Sequence, residues 1–273
     1  MSVSDISLTS GMRNNLIALQ QISSQTNTTQ GRLSTGKKVN SALDNPTSYF
    51  ASQAETQRAS DLSNRQNGMS EAIQTIQAAN AGISGITSLI QSAQGLATSA
   101  ASTSDTLSQA TYYSQYQQIQ TQITQMASDS GYQGTNLLTS GTLSIQFGQK
   151  SNTSSLTVNG VNGTSVGLGV TSVGTWGTGN GLAAQSDSAF MDTALTSLRA
   201  DSSTLASNLS VITTRQSFTT SLINTLQTGS DNLTLADMNQ ESANMLALQT
   251  RQSLGTTALS LSSQAAQSVL KLF

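Results

Sequence analysis

The chain has 273 residues, only 9% of them charged, with a formal net charge of −2 and neither Cys nor His. Globular chains carry about 25% charged residues. Here Ser, Thr, Gln and Asn make up the polar share, leaving a surface with little electrostatic repulsion to keep copies apart. The absence of Cys and His excludes thiol nucleophiles, Cys/His zinc centres, imidazole bases and Ser-His-Asp triads. A secreted zinc peptidase of the HExxH type is excluded with them. No catalytic site, metal or cofactor is expected.

The opening MSVSDISLTSGMRNNLIAL lacks a basic stretch followed by an unbroken apolar run, so no cleaved secretory leader is expected. No segment reaches the ~18 apolar residues of a membrane span. Leu8, Met12, Leu19, Ile22 and Leu33 step by threes and fours and predict an amphipathic helix with a weak seam, since Asn15, Thr26 and Thr29 occupy its other positions. GRLSTGKKVN, Gly31 to Asn40, reads as a polar connector. Its Lys37 and Lys38 lack the aromatic and basic company of a nucleic-acid surface. Asn45 followed by Pro46, the only proline, is an N-cap with proline in the first helical turn.

A seven-residue repeat then places Leu62, Met69, Ile76, Ile83, Ile90 and Ala97 at one heptad position, with Ile73 interleaved. Those 36 residues would make a rod of roughly 54 Å. A shorter helix follows around Tyr112, Tyr116, Ile119, Ile123 and Met126. Between about Gly131 and Gly181 glycine becomes frequent, and alternation predicts a hairpin of Leu143–Gly148 against Leu156–Val161. NGTSVGLGVTSVGTWGTGNG reads as a small surface excursion. Helical periodicity resumes near Ser186, with Met191, Leu195, Leu198, Leu205, Leu209, Ile212, Ile223 and Leu226 as a second rod seam interrupted by Ser202, Gln216 and Thr219. A last row, Leu254, Ala258, Leu261, Ala265, Val269, Leu272 and Phe273, predicts a C-terminal helix. The fold expected is mainly α: long coiled-coil-like rods from both chain ends with a small β-hairpin and loop region in the middle. One narrow seam does not offset the cost of ordering about 40 residues, so each end is expected to fold only against the other and against neighbouring copies.

GRLSTGKKVNSALDNPTSYFASQAETQ, Gly31 to Gln57, resembles the N-terminal motif of bacterial flagellins. ESANMLALQTRQSLGTTALSLSSQAAQSVLKLF, Glu241 to Phe273, resembles their C-terminus, and GYQGTNLL at Gly131 to Leu138 resembles the turn after their third helix. The resemblance implies a subunit that polymerises with many copies of itself into an extracellular filament for swimming, with a hook-filament junction protein as the alternative. It implies five segments: an inner-tube helix and connector at 1–40, rod at 41–140, a variable outer region at 141–185, rod at 186–232 and an inner-tube helix at 233–273.

The resemblance further implies secretion through the flagellar type III export apparatus, with export information near Thr26 to Thr47. It also implies an export chaperone on the C-terminus and contact with hook-associated and cap proteins, but no nucleic-acid or membrane partner. Only 45 residues lie between Gly141 and Gln185, so the filament expected has little surface ornament. Family members detected by Toll-like receptor 5 carry an arginine and a glutamate before a Leu-Ala pair on the long rod. The matching segment here has Gln94 and Gly95 before Leu96 and Ala97, so weak detection is expected.

Overall fold

In a computed structural model, residues 10–148, 154–172, 174–177 and 181–270 are described. Among them the chain forms α1 (Ser10–Thr35), α2 (Pro46–Ala101), α3 (Thr106–Asp129), strands β1 (Thr142–Gln146) and β2 (Ser155–Asn159), α4 (Leu182–Thr234) and α5 (Met238–Leu270). They fall into two compact units, residues 1–57 with 225–273, and residues 58–224. The long helices α2 and α4 each contribute to both.

In the 58–224 unit, α2 and α4 run antiparallel. Polar rungs fix the register: Gln66 Nε2 donates to Thr220 Oγ1 at 2.9 Å, Gln216 Nε2 to Ser70 Oγ at 2.8 Å, and Gln94 Nε2 to Asp192 Oδ1 at 2.8 Å. Ser202 Oγ donates to Asn80 Oδ1 at 3.3 Å. Two of the polar gaps in the α4 pattern, Ser202 and Gln216, thus meet polar partners on α2, and the hydroxyl of the third, Thr219, is satisfied by its own helix at Arg215 O, 2.8 Å away.

Between the rungs lies the core. Leu62, Met69, Ile76, Ile83, Ile90 and Ala97 of α2 are buried, and Ile73 packs against them half-buried. On α4, Met191, Leu195, Leu198, Leu205 and Ile212 are buried and Leu209 is half-buried, while Ile223 beyond them is also half-buried. A second α2 row, Ala72, Ala79, Ile86, Ala93 and Ala100, is equally buried three residues after the first. Its alanines let neighbouring backbones approach closely, which the larger first row would prevent alone. Gly82 continues this tight face, because a Cβ there would lie 2.1 Å from Ser130 Oγ.

After α3, Asn136 Nδ2 donates to the carbonyls of Ala127 and Ser128 at 2.8 Å each and ties off the helix end. Tyr132 and Thr135 exchange backbone hydrogen bonds at 2.9 Å around Gln133 and Gly134, both at positive φ, 44° and 80°. That is a type I′ turn. It delivers Leu137 and Leu138 to the core at 1% and 0% exposure. The hairpin pairs Leu143 with Val158 and Ile145 with Leu156, so these four share the face that covers the rod. Both strands end earlier than the alternation predicted.

The glycine-rich segment after the hairpin departs from the expectation of a surface excursion. Val170 and Trp176 are fully buried, and the Trp176 indole stacks on Tyr116 with ring centroids 4.7 Å apart. Its Nε1–H donates to Asp187 Oδ2 at 2.7 Å, inside the core. An irregular segment needs no periodic stripe to become core, because one large aromatic supplies the apolar area of several aliphatic side chains. The same burial pushes the Tyr116 hydroxyl up to about 12, with the Asp187 and Tyr113 charges adding to it.

Candidate assembly surfaces

The terminal residues expected to pack in the filament core lie on the unit formed by both chain ends. Here α1 and α5 pack against each other. They run antiparallel, since Arg32 meets Glu241 while Leu19 meets Gly255 thirteen residues earlier on α1 and fourteen later on α5. Asp237 caps α5, its Oδ1 accepting from the N–H groups of Asn239 at 2.9 Å and Gln240 at 3.2 Å. The connector is sewn to the end of α4 by Lys38 N–H to Thr234 O at 2.7 Å and by Ala236 N–H to Gly36 O at 2.9 Å. At the start of α2, Asn45 Oδ1 accepts from Ser48 N–H at 3.0 Å, the N-cap that Asn-Pro predicts.

Arg32 Nη1 reaches Glu241 Oε1 at 3.1 Å. Glu241 is 7% exposed and its Oε2 has no partner among the described residues, so the pair anchors the base of α5 with one carboxylate oxygen unsatisfied there. Further along, a Cβ on Gly255 would lie 2.7 Å from Leu19 Cδ2. Glycine here is the seat for a leucine.

The terminal residues expected to pack divide into three groups. Met12 is buried, and Leu19, Ile22 and Leu33 are half-buried on α1. Leu254 and Leu261 are 65% and 62% exposed, and Ala258 and Ala265 are exposed too. Leu8, Leu272 and Phe273 lie outside the described residues, and the side chain of Val269 is likewise not described. The less exposed row of α5 is Leu248, Gly255, Leu259, Ser262 and Ala266. Sequence reasoning missed this row because glycine and serine sit in it, while the leucines that set the apparent period point the other way. A 3.6-residue helix with apolar side chains on two faces gives no unique seam. Leu246 at 67% exposure extends the open α5 row, and Leu16 and Ile17 of α1 are 41% and 53% exposed. Leu226, the last residue expected in the rod seam, lies in this unit and is half-buried.

On the rod, Gln94 is half-buried and held by its bond to Asp192, whereas Gly95 is exposed with nothing near a would-be Cβ. Among the described residues no group of acidic side chains is placed to hold a metal ion. No described helix is long and apolar enough to cross a membrane.

Comparison with known proteins identifies the architecture. The bacterial flagellin N-terminal helical region matches residues 6–142, and the bacterial flagellin C-terminal helical region matches residues 189–273. Flagellin FljM of Caulobacter vibrioides is 31% identical, and flagellin FljO of the same organism 30% identical, each alignment covering 100% of both chains. Flagellin FljK of that organism is 30% identical over 94% of this chain and 95% of its own. The crystal structure of Bacillus cereus flagellin superposes with a TM-score of 0.48 at 18% identity, covering 56% of this chain and 88% of that one. With both helical regions matched in order and full-length relatives at this identity, the chain belongs to the bacterial flagellin family and is a structural subunit of the flagellar filament.

Proposed function

We propose that the chain is secreted through the flagellar type III apparatus, with an export chaperone on its C-terminus, and completes its terminal helices only in the filament. The supporting observation is the pair of rows on α5. One row seats on α1, and the other, Leu246, Leu254 and Leu261, remains in solvent. Contiguous apolar surface of this kind marks an interaction site rather than a finished fold. Leu8, Met12, Leu19, Ile22 and Leu33 then pack with Leu254 to Phe273 in the innermost layer, copy against copy. A chaperone covering the same row before export protects it from premature association. Hook-associated and cap proteins meet the same terminal helices at the two filament ends.

Limited proteolysis tests this reading. Segment 254–273 is cleaved in free protein and resists in filaments grown on seeds. Equal resistance in the two states overturns coupled folding. Labelled protein that appears only at the hook end of isolated filaments would instead favour the junction role. On the rod, Gln94 and the bare Gly95 carry neither a cation nor a carboxylate, and the neighbouring Asp192 carboxylate accepts from Gln94. Purified monomer is therefore expected to activate a Toll-like receptor 5 reporter weakly, and a strong response overturns that.

A further inference from the structure

Leu43 is 95% exposed, the most exposed of the large apolar side chains described. It does not dangle. Asp44 Oδ2 accepts from Asn40 N–H at 3.0 Å, Ser41 N–H at 2.9 Å and Ser41 Oγ at 3.2 Å, while Leu43 N–H donates to Ser41 Oγ at 3.3 Å. The two backbone donors hold the Asp44 carboxyl below its ordinary range, so the turn presents a leucine beside a fixed negative charge. Ordering an exposed apolar tip in this way lowers the entropic cost of docking it.

A matching receptor lies in the 58–224 unit. Leu62, Phe147, Phe218 and Leu222 enclose a cleft of about 160 Å³, with Arg58 and Arg215 also lining it. The Arg215 guanidinium sits 5.4 Å from the Phe147 ring centroid. Neither arginine makes an ion pair among the described residues. Phe218 is 58% exposed at this cleft. Its size admits one leucine side chain, and its two cations complement one carboxylate.

We propose that Leu43 of one copy inserts into the Leu62/Phe147/Phe218/Leu222 cleft of a neighbouring copy, with Asp44 facing Arg58 and Arg215. The contact deepens the reading of the chain as a filament subunit and rests on it. Knob and cleft are different surfaces of one chain, so the contact is heterologous: after binding, one copy keeps its free cleft and the other its free knob. That geometry propagates a filament rather than closing a dimer.

The absence of Cys in the sequence makes cross-linking clean. The double variant L43C/F218C, grown on wild-type seeds and treated with a short bismaleimide, is expected to give a ladder of covalent multimers on a denaturing gel. L43C/S92C filaments stay monomeric. Filaments that grow without a Leu43–Phe218 ladder, or that link position 92 as readily, overturn the contact. Where the double cysteine variant fails to extend seeds, L43A, F218A and their combination decide by the critical concentration for growth. Each single change is expected to raise it about tenfold, the scale of losing one buried leucine, and the pair no further. Multiplying losses overturn the contact. Failure of the wild-type chain to extend seeds overturns the filament reading itself, and this contact with it.

Discussion

Met69, Ile76, Ile86 and Ile90 of α2 reach 0% exposure in a core shared with α3, α4 and the hairpin, whereas α1 buries only Met12 and Thr29 along its 26 residues. α5 keeps three leucines more than 60% exposed. α5 is as apolar as α2 and α4 whereas α1 is less so, and the two pairs differ as well in how many neighbours each receives. The rod has α3, the hairpin and the Trp176 segment laid on it. Among the described residues α1 and α5 pack mainly on each other. On the proposed reading other copies cover the solvent-facing row, which ties the assembly state to the stability of the ends.

The sharpest break to this comparison comes from the rod's largest buried side chain. Trp176→Ala removes the indole that stacks on Tyr116 and the donor held by Asp187, and is expected to cost about 3–5 kcal/mol in urea unfolding followed by circular dichroism. Trp176→Phe keeps one ring but loses the donor and the rest of the indole, with an expected loss of about 1–3 kcal/mol. A loss below about 1 kcal/mol for the alanine variant would show that the segment merely rests on the rod.

Ile90→Ala is expected to cost about 2–5 kcal/mol by the same measurement. Leu254→Ala, equally a leucine-class truncation, is expected to leave the monomer within about 0.5 kcal/mol because its side chain is already in water. Seeded elongation reverses the order of sensitivity: Leu254→Ala slows it, and an unchanged rate would place that row outside the assembly contacts.

The same contrast explains what the sequence disclosed. Leu62 through Ala97 stood out because six apolar side chains recur every seven residues, and all of them prove buried. The parallel row at Ala72, Ala79, Ala93 and Ala100 is as buried but passes unnoticed, since alanine tolerates either face. Trp176 was hidden by its glycine-rich surroundings, where no period exists to mark an anchor. On α5 the visible leucines gave a period with the wrong phase for the α1 contact, because a helix with apolar side chains on two faces carries two overlapping patterns. The α1 contact was thus legible as apolar residues and not as a direction. The alanine row gives a smaller test: Ala79→Leu is expected to destabilise the rod by about 1–3 kcal/mol through overpacking. A neutral result would mean that the helices do not approach closely there.

The least change is expected at the turn after α3. Gln133 sits at φ 44° before Gly134, a backbone conformation that disfavours a long side chain and that Asn adopts readily. Its side chain is exposed and makes only a 3.5 Å contact from Nε2 to the Tyr132 hydroxyl. Gln133→Asn should therefore relieve strain without losing packing, raising rod stability by about 0.5–1 kcal/mol in denaturant unfolding. Protease cleavage within 254–273 of the free protein should not change, since nothing in that segment gains a partner. If the variant protected that segment as well, the ends would be drawing their stability from the rod, and the need for neighbouring copies would fall away.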